Sequence, residues 1–162
     1  MKINIYDVVL NKDRVTTLEK KEETSCEAFN LDNPSKIYRM ICDVFRANVL
    51  PEEHTWVIAV NGDNFPIGIF EVSCGAGNYT IINSREVFMR LCLIGAIRFI
   101  VVHNHPSGNP RPSSEDFQST QKLIEAGKMM CIPMMDHVIA GDASISQHSY
   151  FSFYEELGKM FE

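Results

Sequence analysis

The sequence predicts a mixed α/β domain in which helices flank a curved β-sheet. Three observations carry this expectation. Segments of helical and of strand periodicity alternate along the chain. Turn signals place more of the strands in hairpins than in crossover units. One run, residues 96–105, is apolar until its end, as a central strand covered on both faces must be. At 162 residues, 45% hydrophobic and 22% charged, the chain is long enough to bury one core without disulfides or a structural metal.

The elements follow in order. Residues 1–34 form an N-terminal unit: a short strand on Ile3, Ile5, Val8, Val9 and Leu10, then a loosely ordered connection rich in Lys and Glu. The main domain is expected over residues 35–162. Pro34-Ser35 opens a helix of about three turns whose buried face is Ile37, Met40, Ile41, Val44 and Phe45. A strand over 54–60 turns at Asn61-Gly62-Asp63-Asn64 and returns over 66–73. Gly75-Ala76-Gly77 breaks it, and a short strand is expected over 79–82. Ser84 reads as the N-cap of a helix with Val87, Phe88, Leu91 and Cys92 inward and Gly95 as its stop. After the central strand, residues 106–112 are a Pro/Gly loop. Ser113 starts a helix to about Ala126, ended by Gly127. Two further strands are expected at 129–134 and 137–139, and a short amphipathic helix over 150–160.

The formal charge of −6 and the lack of a large Lys/Arg cluster argue against a broad nucleic-acid surface. Residues 1–10 carry Asp7 and no long apolar core, so they read as neither a signal peptide nor a membrane span. The five cysteines are odd in number, widely spaced and without a C-x-x-C pair. They read as reduced, mostly buried thiols of a cytoplasmic protein.

The chemistry concentrates in residues 103–116. His103 and His105 stand two apart at a strand end, so their imidazoles project to the same face, while Asn104 faces the other way. Asp116 follows His105 by eleven residues, in the first turn of the next helix, where the helix dipole favours a carboxylate. Two imidazoles, one carboxylate and one open position are how proteins hold a hydrolytic zinc. Such a site also needs a base to move a proton, for which spacing leaves Glu53, Glu71 and Glu115 open. Taken singly, the paired histidines could be ordinary surface residues, Ser113-x-x-Asp116 a helix cap, and His-Pro-Ser-Gly a turn. Their coincidence at this spacing favours a metal site.

His103-x-His105-Pro106 followed by Ser113-x-x-Asp116 resembles the JAMM motif of the JAB1/MPN metalloprotease superfamily. The string HNHPSGNPRPS with Glu115-Asp116, together with Ser84-Arg85-Glu86-Val87-Phe88 and Met135-Asp136-His137-Val138-Ile139, resembles the RadC family within it, over roughly residues 35–155. The resemblance implies a JAB1/MPN, cytidine-deaminase-like architecture and one zinc per chain held by His103, His105 and Asp116. It implies Glu53 as general base, with Glu52 as the fallback if the register slips by one, and Ser113 as the oxyanion donor. The implied reaction is hydrolysis of an amide or isopeptide bond in a peptide or protein substrate. Full-length RadC proteins join this domain to a helix-hairpin-helix module, for which this chain has no room.

His137 is a candidate to orient a metal ligand, with a backbone-bonded core histidine as the equal alternative. His54 and His148 read as surface residues, Ser107 as a turn former, Trp56 as core, and the pairs Met129-Met130 and Met134-Met135 as core filler. Two other functions compete with the zinc peptidase. One is a non-catalytic JAMM-fold interaction module serving DNA repair or mobile-element transfer. The other is a metal nuclease, invited by the tripeptide His103-Asn104-His105 but disfavoured by the acidic charge.

Overall fold

A computed structural model describes residues 2–27, 30–75 and 82–162. Among the described residues, the strands form one seven-stranded mixed sheet in the order β2-β1-β4-β3-β5-β6-β7. The strands are β1 Lys2–Leu10, β2 Thr16–Ser25, β3 Glu53–Val60, β4 Pro66–Gly75, β5 Arg98–Asn104, β6 Met134–Ala140 and β7 Tyr150–Ser152. Neighbours run antiparallel except β1 beside β4 and β5 beside β6, which are parallel. Helices α1 Pro34–Phe45, α2 Ser84–Ile94, α3 Ser114–Met129 and the short α4 Phe153–Leu157 complete the domain.

Alternation along the central strands sorts the core into two layers. Trp56, Ile58, Val60, Ile100 and Val102 face one side, where Ile37, Met40 and Ile41 of α1 cover them. Val57, Ala59, Phe99 and Val101 face the other, against Val87 and Leu91 of α2 and Leu123 and Ile124 of α3. Each fully buried aliphatic or aromatic side chain contributes about 1.5–3 kcal/mol. These central residues therefore set the orientation of everything at the strand ends.

Local chemistry sets the element ends. Asn33 caps α1, its Oδ1 accepting from the Lys36 N–H at 3.0 Å, with Pro34 at the first helical position. In the β3–β4 turn, Asn61 Oδ1 accepts from the N–H groups of Asp63 and Phe65, each at 3.0 Å. One glycine stops a helix as expected: Gly95 closes α2 with φ 72°.

Several expectations are corrected. The Lys/Glu-rich connection is strand β2, paired along its length with β1. It reads as polar because it is the outermost strand and exposes most of both faces. The cap of α2 is Asn83, one residue before Ser84, and Cys92 is exposed. Gly127 does not end α3. It lies inside the helix, where a Cβ would meet the Ile132 carbonyl at 2.8 Å, so it permits a close helix–strand approach. The two strands expected around 129–139 are one, β6. Met129 and Met130 are exposed at the helix end, and Cys131 turns the chain with φ 55°. The tail divides into β7, α4 and a final 3-10 turn, Gly158–Met160. The short strand expected over 79–82 falls largely outside the described residues. Three of the five cysteines, Cys74, Cys92 and Cys131, are exposed, because their strand-end and helix-end positions leave the core.

Candidate metal centre

His103 is held in β5, paired with Thr55 of β3 on one side and Ile139 of β6 on the other, and is 2% exposed. His105 lies just past the strand, tied by its N–H to the Ala140 carbonyl at 3.0 Å. The loop beyond bends back through Gly108 at φ 74°, whose N–H bonds the His105 carbonyl at 2.9 Å. This return brings the first turn of α3 over the strand end. Ser113 caps α3, accepting from the Asp116 N–H at 3.2 Å. Asp116 Oδ2 in turn accepts from the N–H and the hydroxyl of Ser113, both at 2.7 Å.

Candidate ligand atoms of three residues converge. His103 Nε2 is 3.1 Å from His105 Nε2 and 3.2 Å from Asp116 Oδ1, and His105 Nε2 is 3.6 Å from Asp116 Oδ2. A tetrahedral zinc with bonds of about 2.0–2.1 Å separates its N and O ligands by roughly 3.3–3.4 Å, so these residues fit the ion.

The surrounding hydrogen bonds orient the imidazoles for that role. Thr120, one turn after Asp116 on α3, donates its hydroxyl to the Asp116 carbonyl at 2.6 Å. Its oxygen therefore accepts from His137 Nδ1, also at 2.6 Å. His137 is fully buried, and burial first, then His103 beside it, keep it neutral. Its Nε2 is thus a bare acceptor, 2.8 Å from His103 Nδ1, which must donate. On the other candidate ligand, His105 Nδ1 donates to the Asn109 carbonyl at 2.9 Å. With both rings neutral, the Nε2 lone pairs face Asp116 with no donor among them, an arrangement that suits a bound cation.

Charges agree with this. Burial alone would raise the Asp116 carboxyl, but the two imidazoles and the Ser113 N–H outweigh it and hold it well below the usual carboxylate range. Burial would lower His105, but Asp116, the Asn109 carbonyl and the charge of Glu53 together raise it. Phe153 stacks on His137 at 5.0 Å between ring centroids and shields it from water.

The candidate bases separate by face. Glu53 opens β3 two residues before Thr55, the register partner of His103, so it lies on the face of the two histidines. Glu71 pairs instead with His54 on the opposite face. Glu52 is exposed and turned toward Cys74, and Glu115 is exposed and bonded to the Ser114 hydroxyl. Ser113 is engaged with Asp116. To donate to an oxyanion, its hydroxyl must rotate off that carboxylate.

Several contributors escaped the sequence reading. Thr120 stands at i+4 from Asp116, a spacing that was available as a signal. Asn104 faces away, as expected, but accepts from the His54 N–H at 2.8 Å and donates to the Glu52 carbonyl at 2.9 Å. It thereby fixes the backbone on both sides of Glu53. His54 is not a surface residue: its side chain is 16% exposed and its ring stacks on Trp56. Ser107 serves the loop, its hydroxyl accepting from the Asn109 N–H at 3.3 Å. His148 is exposed and takes no part. Among the described residues, no helix is long and apolar enough to cross a membrane.

A mixed sheet covered on both faces, with an H-x-H strand end closed by an aspartate from the next helix, defines a JAB/MPN-like domain with a candidate metal centre. The RadC-like JAB domain family matches residues 31–159, and the chain belongs to that family. It is 38% identical over 133 residues to a UPF0758 protein of Caldanaerobacter subterraneus subsp. tengcongensis, covering 80% of this chain and 56% of the relative. A UPF0758 protein of Clostridium acetobutylicum is 36% identical over 136 residues, covering 84% and 56%. One from Methanococcoides burtonii is 36% identical over 129 residues, covering 75% and 56%. The chain thus spans little more than half the length of these relatives.

Proposed function

We propose that this domain is a zinc-dependent hydrolase of amide or isopeptide bonds in a peptide or protein substrate. The observation that carries the reading is the convergence of His103, His105 and Asp116, with His103 Nε2 3.1 Å from His105 Nε2 and 3.2 Å from Asp116 Oδ1, and with Glu53 on the same face.

When bound, zinc would polarise the scissile carbonyl and lower the pKa of an attacking water. The residues of the chain supply the rest. His137 and Thr120 hold His103 in the ligating tautomer, and the Asn109 carbonyl does the same for His105. Ser113 holds Asp116 through two bonds to Oδ2, leaving Oδ1 toward the metal point. Glu53 takes the proton of the attacking water and delivers it to the leaving nitrogen. Beside the ligand loop, a cleft of about 590 Å³ is lined by Asn109, Arg111, Pro112, Gln147, Tyr150 and Glu155. An extended peptide passing through it would lie next to the ligand loop.

The test compares wild type, Glu53→Gln and His103→Ala for zinc content and for turnover of peptide and isopeptide-linked substrates. Glu53→Gln should retain metal and lose turnover; His103→Ala should lose both. Full turnover in Glu53→Gln would remove Glu53 from the mechanism. A metal-loaded wild type inert on every peptide and isopeptide would favour the non-catalytic interaction module.

A further inference from the structure

The other face of β3 carries a second cluster of ligand-type side chains. His54 and Cys74 are direct cross-strand partners on β3 and β4, and Glu52 lies just before β3. Cys74 Sγ is 3.5 Å from Glu52 Oε2 and 3.7 Å from His54 Nε2, and those two atoms are 4.0 Å apart. Zinc bonds of about 2.3 Å to sulfur and 2.0–2.2 Å to nitrogen or oxygen separate S from N or O ligands by roughly 3.5–3.6 Å. The two sulfur distances already fit, and rotation of the exposed Glu52 side chain closes the third.

The imidazole is set for ligation. A bulge where Thr55 pairs with Ser73 but Trp56 pairs with Glu71 leaves Val72 unmatched. That extra residue puts Glu71 on the face of His54, where its carboxylate bonds His54 Nδ1. With Nδ1 donating to Glu71, Nε2 is bare and directed at the thiol and Glu52, the carboxylate–histidine arrangement that supports zinc ligands elsewhere. Stacking on Trp56, with ring centroids 5.5 Å apart and 8° between planes, holds the ring in place.

We propose that Glu52, His54 and Cys74 form a second transition-metal site, best suited to zinc by its S, N and O donors, with Glu71 fixing His54 in the ligating tautomer. It is independent of the hydrolase reading and lies on the opposite face of β3 from His103. An ion there ties the start of β3 to the end of β4 on either side of Glu53.

Cobalt distinguishes the two sites, because only the second contains sulfur. The full chain, stripped with chelator and titrated with Co2+, should take up two ions and develop a near-ultraviolet thiolate-to-cobalt charge-transfer band. Cys74→Ser should lose the band and one ion; His103→Ala should keep the band and lose the other ion. Glu71→Gln should keep the band but weaken cobalt binding at this site about 10–100-fold. Glu52→Gln, a change at an exposed side chain, supplies a second reading with the fold checked by circular dichroism, and should weaken the band's titration. A wild type with no band, or a band that survives Cys74→Ser, would overturn the site.

Discussion

His103 Nδ1 and His137 Nε2 lie 2.8 Å apart inside the core, and a single proton must sit between them. The Thr120 hydroxyl, committed to the Asp116 carbonyl, assigns that proton to His103. One helix therefore supplies both a candidate metal ligand, Asp116, and the hydroxyl that sets the tautomer of another candidate, His103 on the preceding strand.

His137→Gln should accordingly lower zinc affinity about 10–100-fold with the fold intact, measured by competition with a chromophoric chelator. Thr120→Val should act in the same direction and also destabilise the protein by about 1–3 kcal/mol, because it leaves the His137 Nδ1–H without an acceptor. Unchanged zinc affinity in His137→Gln would show that the ring is only packing.

Zinc uptake should weaken as the pH falls, since protons compete for the imidazoles. The onset should lie above the ordinary histidine value of 6.5, because Asp116, the Asn109 carbonyl and Glu53 raise His105 against the opposing effect of burial. The apparent zinc dissociation constant measured from pH 5 to 8 checks this. An onset well below 6.5 would contradict it.

Asp136 gives a stability signature of the opposite sense to an ordinary ion-paired carboxylate. Burial pushes its carboxyl from 3.8 up to about 6, against bonds from the Ser152 hydroxyl and the N–H groups of Tyr154 and His137. The folded state binds this proton more tightly than the unfolded one. Its contribution is therefore fully present below the unfolded value of 3.8 and is lost as the pH rises through about 6. The stability of metal-free wild type relative to Asp136→Asn should fall by up to about 3 kcal/mol between pH 4 and 7, read from urea melts. Parallel stability curves for the two proteins would refute the assignment.

Gly127→Ala should destabilise the domain by about 1–3 kcal/mol, although alanine is ordinarily the better helix former. The added methyl would meet the Ile132 carbonyl at 2.8 Å and the Phe99 ring at 3.3 Å. Thermal denaturation that shows Gly127→Ala equal to or more stable than wild type would mean that α3 can shift away from β5 freely.

These cases also show how far the sequence could be read. His103, His105 and Asp116 were legible because their geometry is local: a two-residue strand spacing and a helix cap a short loop away. The central strand was legible because both its faces are buried. What the sequence hid depends on register or on neighbours. His54 and Cys74 meet only through a hairpin whose bulge no local pattern announces. Strand β2 looked like a connection because solvent leaves its alternation unmarked. Gly127 looked like a helix stop because glycine usually is one, whereas here what matters is the absence of a side chain against β6.

The polar character of β2 has a further consequence, at the level of many molecules. An outermost strand presents a row of unpaired backbone donors and acceptors onto which a strand from another copy could zip. On β2 that row is flanked by exposed Glu19, Lys20, Lys21, Glu22 and Glu23, which an incoming chain would have to strip of water. At the opposite border, β7 has three residues before the chain turns into α4, too short to template a stable addition. The sheet is thus protected against self-propagation at both borders, by charge at one and by brevity at the other.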